Sequence, residues 1–162
     1  MFYLGLGLFA LGVVALDQLT KILTVRKIAE GGCVRLLDRV VHLTYVRNDG
    51  AAFSMLSGQR WLFIVIALAA IVLAAVLIWK KVFTKKTELF CLAAILGGAI
   101  GNLIDRVVYG SVVDMIELEF MHFAVFNVAD CFITCGVFLL CLYELWLGLH
   151  KTERPDAGGR KA

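Results

Sequence analysis

Hydrophobic residues in this chain fall into four long runs separated by short polar stretches. Trp61–Trp79 holds no charge and has a tryptophan at each end. Phe2–Val25 is apolar to Leu16 and then carries Asp17, Gln18 and Lys21. Leu89–Ile104 is broken by Asn102, and Val125–Leu147 by Asn127, Asp130 and Glu144. About 20 mostly apolar residues span a bilayer as a helix, and tryptophans anchor such helices at the interface. The pattern predicts an all-α integral membrane protein with four transmembrane helices. The first run lacks a basic leader and a small-x-small site, so it is expected to stay on the protein. Between the first two runs lies loop 26–60. Within it, Val40–Val46 (VVHLTYV) is β-branched and aromatic, and Asn48-Asp49-Gly50 follows as a turn signal. A short extracytoplasmic strand is expected there.

Composition agrees. Of 162 residues, 61% are hydrophobic and 18% charged, with a mean hydropathy of +0.88, far from soluble usage. The length suits one membrane domain over residues 1–150, with residues 151–162 as a flexible cytoplasmic tail. A net charge of +3 gives no reason to expect nucleic acid. Cys131 and Cys135 share a helix face, but no further ligand lies near them in sequence, so they read as small core residues. The histidines are scattered, and neither a metal nor a cofactor is expected.

Lysine and arginine set orientation. Lys80–Lys86 (KKVFTKK) holds four lysines, and the tail adds Lys151, Arg154, Arg160 and Lys161. Four helices put that loop and both termini on one side, assigned as cytoplasmic. Loop 26–60 carries six basic against three acidic residues, a lower density.

This topology gathers the intramembrane polar residues at one level. Asp17 and Lys21 lie in the outer part of the first helix, and Asn102, Asp105 and Arg106 at the outer end of the third. Asp114 follows in the outer loop, and Asn127 and Asp130 open the fourth helix. Only Glu144 lies elsewhere. A charge near hydrocarbon costs ~2.5–3.5 kcal/mol on insertion scales, so it marks a functional site by default. Asp17 has Lys21 at i+4; a simple intrahelical pair and a supporting role both fit. Asp105, beside Arg106, reads as an interfacial cap or pair. Asp114 and Asp130 have no basic residue within four positions. Two such carboxyls that meet would share a proton and suit acid/base chemistry. Asn48, Asn102 and Asn127 can position such a pair, although Asn48 alone reads as a turn residue. Gly97, Gly98 and Gly101 suit close helix packing.

Four blocks resemble the lipoprotein signal peptidases, or signal peptidase II, a bacterial family of aspartic intramembrane proteases. They are Asp17-Gln18-Leu19-Thr20-Lys21, Asn48–Ser54 (NDGAAFS), Gly98–Arg106 (GAIGNLIDR) continuing to Gly110–Asp114 (GSVVD), and Phe126–Asp130 (FNVAD). They span residues 17–136 with Ile133 and Gly136. The resemblance implies catalysis by Asp114 and Asp130, without metal or cofactor. It implies support from Asp17, Lys21, Asn48, Asn102, Arg106 and Asn127; Gly50 and Ala129, inside the same blocks, are further supporting or substrate-binding candidates. It implies a small extracytoplasmic β-sheet and a mobile helix compatible with loop 26–60. The implied substrate is a prolipoprotein bearing diacylglyceryl-cysteine, cut just before that cysteine. The implied setting is the bacterial inner membrane, with the site near the outer leaflet, lipid as a partner and a monomeric enzyme. Met115 and Phe123-Ala124 depart from the family pattern and touch shape more than chemistry. The rivals are a proton-coupled transporter, whose polar route would need Glu144, and a structural subunit, which leaves the aspartates unexplained.

Overall fold

The structure is a computed structural model and describes residues 1–51, 53 and 55–152. Four helices form the body: α1 (Phe2–Lys27), α2 (Arg60–Trp79), α3 (Lys86–Val108) and α4 (Val128–Thr152). Each is long and apolar enough to cross a membrane, and the chain is a multi-pass membrane protein. Of the expected tail, residues 153–162 lie outside the described residues.

α3 is the hub, packed against α1, α2 and α4. Its glycines make this possible. A Cβ at Gly97 would meet the Ala10 carbonyl oxygen of α1 at 2.8 Å, and one at Gly98 the Ala129 carbonyl oxygen of α4 at 2.5 Å. At Gly101 a Cβ would come within 2.5 Å of Asp17 Oδ2. The small residues thus let two backbones and one carboxylate approach α3 directly. Gly101→Ala should push the Asp17 carboxylate out of its place and cost ~1–3 kcal/mol, the scale of overpacking. A lowered unfolding temperature in detergent checks this; an unchanged one would show that the Asp17 side chain yields freely.

The buried residues of α1 are Val13, Asp17, Lys21 and Thr24, a stripe at helical spacing. Its inward face is therefore polar over its second half, while its outward face is apolar. This inversion of soluble patterning is what a lipid solvent selects. α2 buries only Ile64 and Ala74, and its terminal Trp61 and Trp79 are both exposed.

Strands β1 (Cys33–Leu37), β2 (Val41–Asn48) and β3 (Val112–Leu118) form one antiparallel sheet in that order. β1 and β2 join α1 to α2, and β3 lies between α3 and α4, so the sheet caps one end of the bundle. The expected strand around Val40–Val46 is present as β2. β3 is the correction: residues placed in an outer loop pair with β2 from Val41↔Leu118 to Asn48↔Val112. Tyr45, Val113 and Met115 pack beneath the sheet with Ile28, Leu43 and Ile116, so Met115 is a core residue. Of the helix suggested for loop 26–60, Phe53 is 3-10-helical, and the residues on either side of it lie outside the described residues.

Two helix starts differ from the hydropathy boundaries because capping overrides hydrophobicity. α3 begins earlier, where Glu88 Oε2 accepts the Thr84 and Lys85 amides at 2.7 and 2.9 Å. α4 begins later. Phe126 bridges to Ile116, and Asn127 opens the helix. Asn127 Oδ1 accepts the Asp130 amide at 3.0 Å while Asp130 Oδ2 accepts the Asn127 amide at 3.2 Å, a reciprocal capping box.

Candidate active site

An open cleft of about 480 Å³ lies between the sheet end of α3, the start of α4 and the loops beside them. Asp114 and Asp130 both line it, with Asn48, Gly50, Asn102, Arg106 and Asn127. β3 carries Asp114, and the capping box holds Asp130 in the first turn of α4.

Three asparagines orient the carboxylates. Asn48 Nδ2 donates to Asp114 Oδ2 at 2.8 Å and Asn127 Nδ2 to Asp114 Oδ1 at 2.6 Å. Asn102 Nδ2 donates to Asp130 Oδ1 at 2.7 Å. Asn127 Nδ2 also reaches Asn102 Oδ1 at 3.1 Å, so the two aspartates hang on one hydrogen-bonded chain. Asn48 is both a turn residue and a site residue: its Oδ1 accepts the Gly50 amide at 3.0 Å. Burial pushes the Asp114 carboxyl up to about 6; the Asn48 bond opposes this, and the negative charge of Asp130 adds to it.

Behind the cleft lies a buried ionic cluster. Lys21 Nζ is 2.8 Å from Asp17 Oδ2, 3.0 Å from Asp105 Oδ2 and 2.9 Å from Asn102 Oδ1. One ammonium thus serves two carboxylates and fixes the asparagine that contacts Asp130. The surplus negative charge is met by neutral donors. The Ala129 amide donates to Asp17 at 3.0 Å, the Val113 amide to Asp105 at 3.3 Å, and Gln18 Nε2 to Asp105 at 2.9 Å. The two backbone straps end beside the cleft aspartates: Ala129 precedes Asp130, and Val113 precedes Asp114. Ala129 is fully buried, so it acts through its backbone behind the cleft.

Asp105 corrects the sequence reading. It is 1% exposed and pairs with Lys21, not as an interfacial cap. Its spacing from Asn102 places both on one face of α3, a signal that adjacency to Arg106 obscured. Gln18 was also missed. Arg106 bonds weakly to the Asn102 and Gly50 carbonyls, both at 3.4 Å, and its guanidinium sits 5.0 Å over the Phe63 ring. Across the cleft, Phe53 stacks on His122 at 5.9 Å. Phe123 and Ala124, the family departures, line the same opening. Glu144 is exposed on α4, away from the cleft.

Comparison with known proteins gives one answer. Residues 9–146 match the family described as signal peptidase (SPase) II. A lipoprotein signal peptidase of Streptococcus agalactiae serotype Ia is 41% identical over 134 residues, which cover 83% of this chain and 86% of the relative. That of Latilactobacillus sakei is 39% identical over 143 residues, covering 88% and 91%. A bacterial membrane enzyme solved by the in meso method at 2.3 Å superposes with a TM-score of 0.83 at 29% identity, covering 95% of this chain and 93% of that one. With its helices, its capping sheet and the profile match in agreement, the chain belongs to the signal peptidase II family, the lipoprotein signal peptidases, and is a membrane protease.

Proposed function

We propose that the chain is an aspartic endopeptidase that cuts diacylglyceryl-modified prolipoproteins just before the lipidated cysteine, with Asp114 and Asp130 as its catalytic pair. The observation that carries this is the pair itself: two carboxylates from separate elements line one cleft and hang on one asparagine chain. Below about pH 6 such a pair holds one proton, and the proton belongs to the pair. The ionised member takes a proton from water, whose oxygen attacks the scissile carbonyl carbon. The protonated member gives its proton to the carbonyl oxygen. The tetrahedral diol then collapses: one hydroxyl returns its proton to the ionised member, the C–N bond breaks, and the amine leaves with the proton of the other, so the pair again holds one proton. Burial of Asp114 is what raises the proton affinity of the pair.

The lipid explains the location of the cleft. A diacylglyceryl group stays in the leaflet, so the scissile bond can reach only the level of the helix ends. Loop 80–86, with four lysines, leaves the opposite end of the bundle, so the sheet end is assigned to the outer face of the cytoplasmic membrane. Incubating the purified protein with a diacylated lipobox peptide tests the activity: shortening just before the modified cysteine supports it, and an intact peptide refutes it.

The pH profile is a separate test. Loss of the second proton from the pair should follow the raised Asp114 value. The alkaline limb of kcat/KM is therefore expected near pH 6. Bound lipopeptide excludes water and should move the limb upward in kcat. A profile flat through this region, with chemistry rate-limiting, would remove the shared proton.

Orientation is tested by labelling. Cys33 and Thr84 are both exposed and lie at opposite ends of the bundle. In intact cells an impermeant thiol reagent should modify Cys33, and should fail to modify Thr84→Cys in a background lacking Cys33. The reverse pattern would place the cleft at the cytoplasmic face.

A further inference from the structure

Away from the cleft, the sheet brings together side chains that proteolysis does not use. Cys33 is on β1, His42 on β2 and Glu117 on β3. The register sets His42 opposite Glu117 and opposite Arg35, two residues along β1 from Cys33. One ligand atom from each of Cys33, His42 and Glu117 lies within 4.8 Å of the other two. A further carboxylate stands beside His42: Glu119 Oε2 is 2.9 Å from its Nε2. The two are misaligned for a hydrogen bond, and Nε2 is buried with no hydrogen-bond partner among the described residues. An imidazole nitrogen withdrawn from water and left unbonded is costly.

We propose that Cys33, His42 and Glu117 form a three-ligand site for a zinc-like divalent transition-metal ion, with the fourth position left to solvent. Sulfur, nitrogen and carboxylate oxygen are the donors that zinc takes in tetrahedral sites. Three ligands on three adjacent strands need little ordering on binding, because the ladder already holds their backbones. A metal bound through the imidazole would give His42 the aligned partner that Glu119 does not. The thiolate and the Glu117 carboxylate carry two negative charges, and the Glu119 carboxylate beside His42 adds a third nearby, which favours a dication even beside Arg35. Binding requires the Cys33 thiol to lose its proton to the buffer as the metal–sulfur bond forms, so affinity should rise with pH.

The test uses full-length protein in detergent, stripped with chelator and titrated with cobalt and then zinc. Cobalt should bind one per chain and give a thiolate-to-cobalt charge-transfer band, which zinc then abolishes. Cys33→Ser should lose that band, and His42→Gln and Glu117→Gln should each weaken zinc binding at least ~10-fold, the scale seen even for outer partners of a metal. Cys135→Ser should change nothing. Zinc should also slow alkylation of Cys33, read peptide by peptide, without protecting Cys135. This second reading needs no variant, so it decides the matter even where a substitution disturbs the sheet. Absence of the band, or zinc binding indifferent to Cys33 and His42, would overturn the site, as would equal alkylation of Cys33 with and without zinc.

Discussion

Asp114→Asn and Asp130→Asn are each expected to cut turnover of a diacylated lipobox peptide by at least ~10²–10⁴-fold, the share of a positioned acid or base, while leaving folded, membrane-inserted protein. An amide keeps the shape of a carboxyl but cannot exchange the proton. The two variants should differ in stability. The folded-state value of Asp114 is raised from 3.8 to about 6 by burial. The folded protein therefore holds the proton more tightly than the unfolded chain does. The stability linked to this group is fully present below pH ~4 and is lost as pH rises through about 6. Asp114→Asn removes the titration, so it should flatten that part of the stability curve, while its NH2 must face one of the Asn48 and Asn127 donors and lose that bond. Thermal unfolding between pH 4 and 8, measured beside turnover, checks both statements. Near-normal turnover in either variant would sink the catalytic pair. An unchanged pH slope in Asp114→Asn would show that its burial is not felt as a charge.

Lys21→Ala should be the most destabilising single change in the polar core. Its ammonium is the cation common to Asp17 and Asp105, at 2.8 and 3.0 Å, and all three side chains are almost wholly buried. Breaking a buried pair from one side costs ~3–5 kcal/mol, because the remaining charge is stranded. Here two carboxylates are stranded, close to each other and to Asn102. Asp17→Asn in the Lys21→Ala background should recover part of the loss, and adding Asp105→Asn should recover more. Activity should not return with stability, because Asn102 loses the ammonium that fixes its amide against Asp130. A double-mutant cycle on unfolding temperature in detergent, run beside cleavage rates, separates the two. Strictly additive stability effects would show that the cluster does not couple.

Much of this architecture is legible along the chain, because the bilayer imposes a length and a polarity that one-dimensional patterns report directly. Nineteen uncharged residues between Trp61 and Trp79 can hardly be anything but a span, and α2 starts and stops within a residue of them. The level at which Asp17, Asn102, Asp114 and Asp130 gather follows from the number of spans alone. The β-rich run Val40–Val46 is equally readable, since its residues suit a pleated surface wherever it lies.

What the order of residues does not contain is which groups touch. Asp114 sits in a strand because Val112–Leu118 pairs with β2, and strand pairing depends on a partner more than sixty residues away. The start of α4 was set by a capping box and a bridge to Ile116, and hydropathy carries no trace of either. Asp105 looked like a partner for Arg106 because the two are adjacent. Folding turned it instead toward Lys21, eighty-four positions earlier, because successive residues on a helix face different ways. Local spacing determined the spans, the level of the polar residues and the Asp17–Lys21 pair. Long-range packing decided that Lys21 serves two carboxylates, that three asparagines tie Asp114 to Asp130, and that the glycines of α3 hold them all within reach. Hydrophobicity and helical period are properties of neighbours in the chain. Hydrogen bonds and ion pairs between α1, α3, β3 and α4 exist only once the backbones have closed on each other.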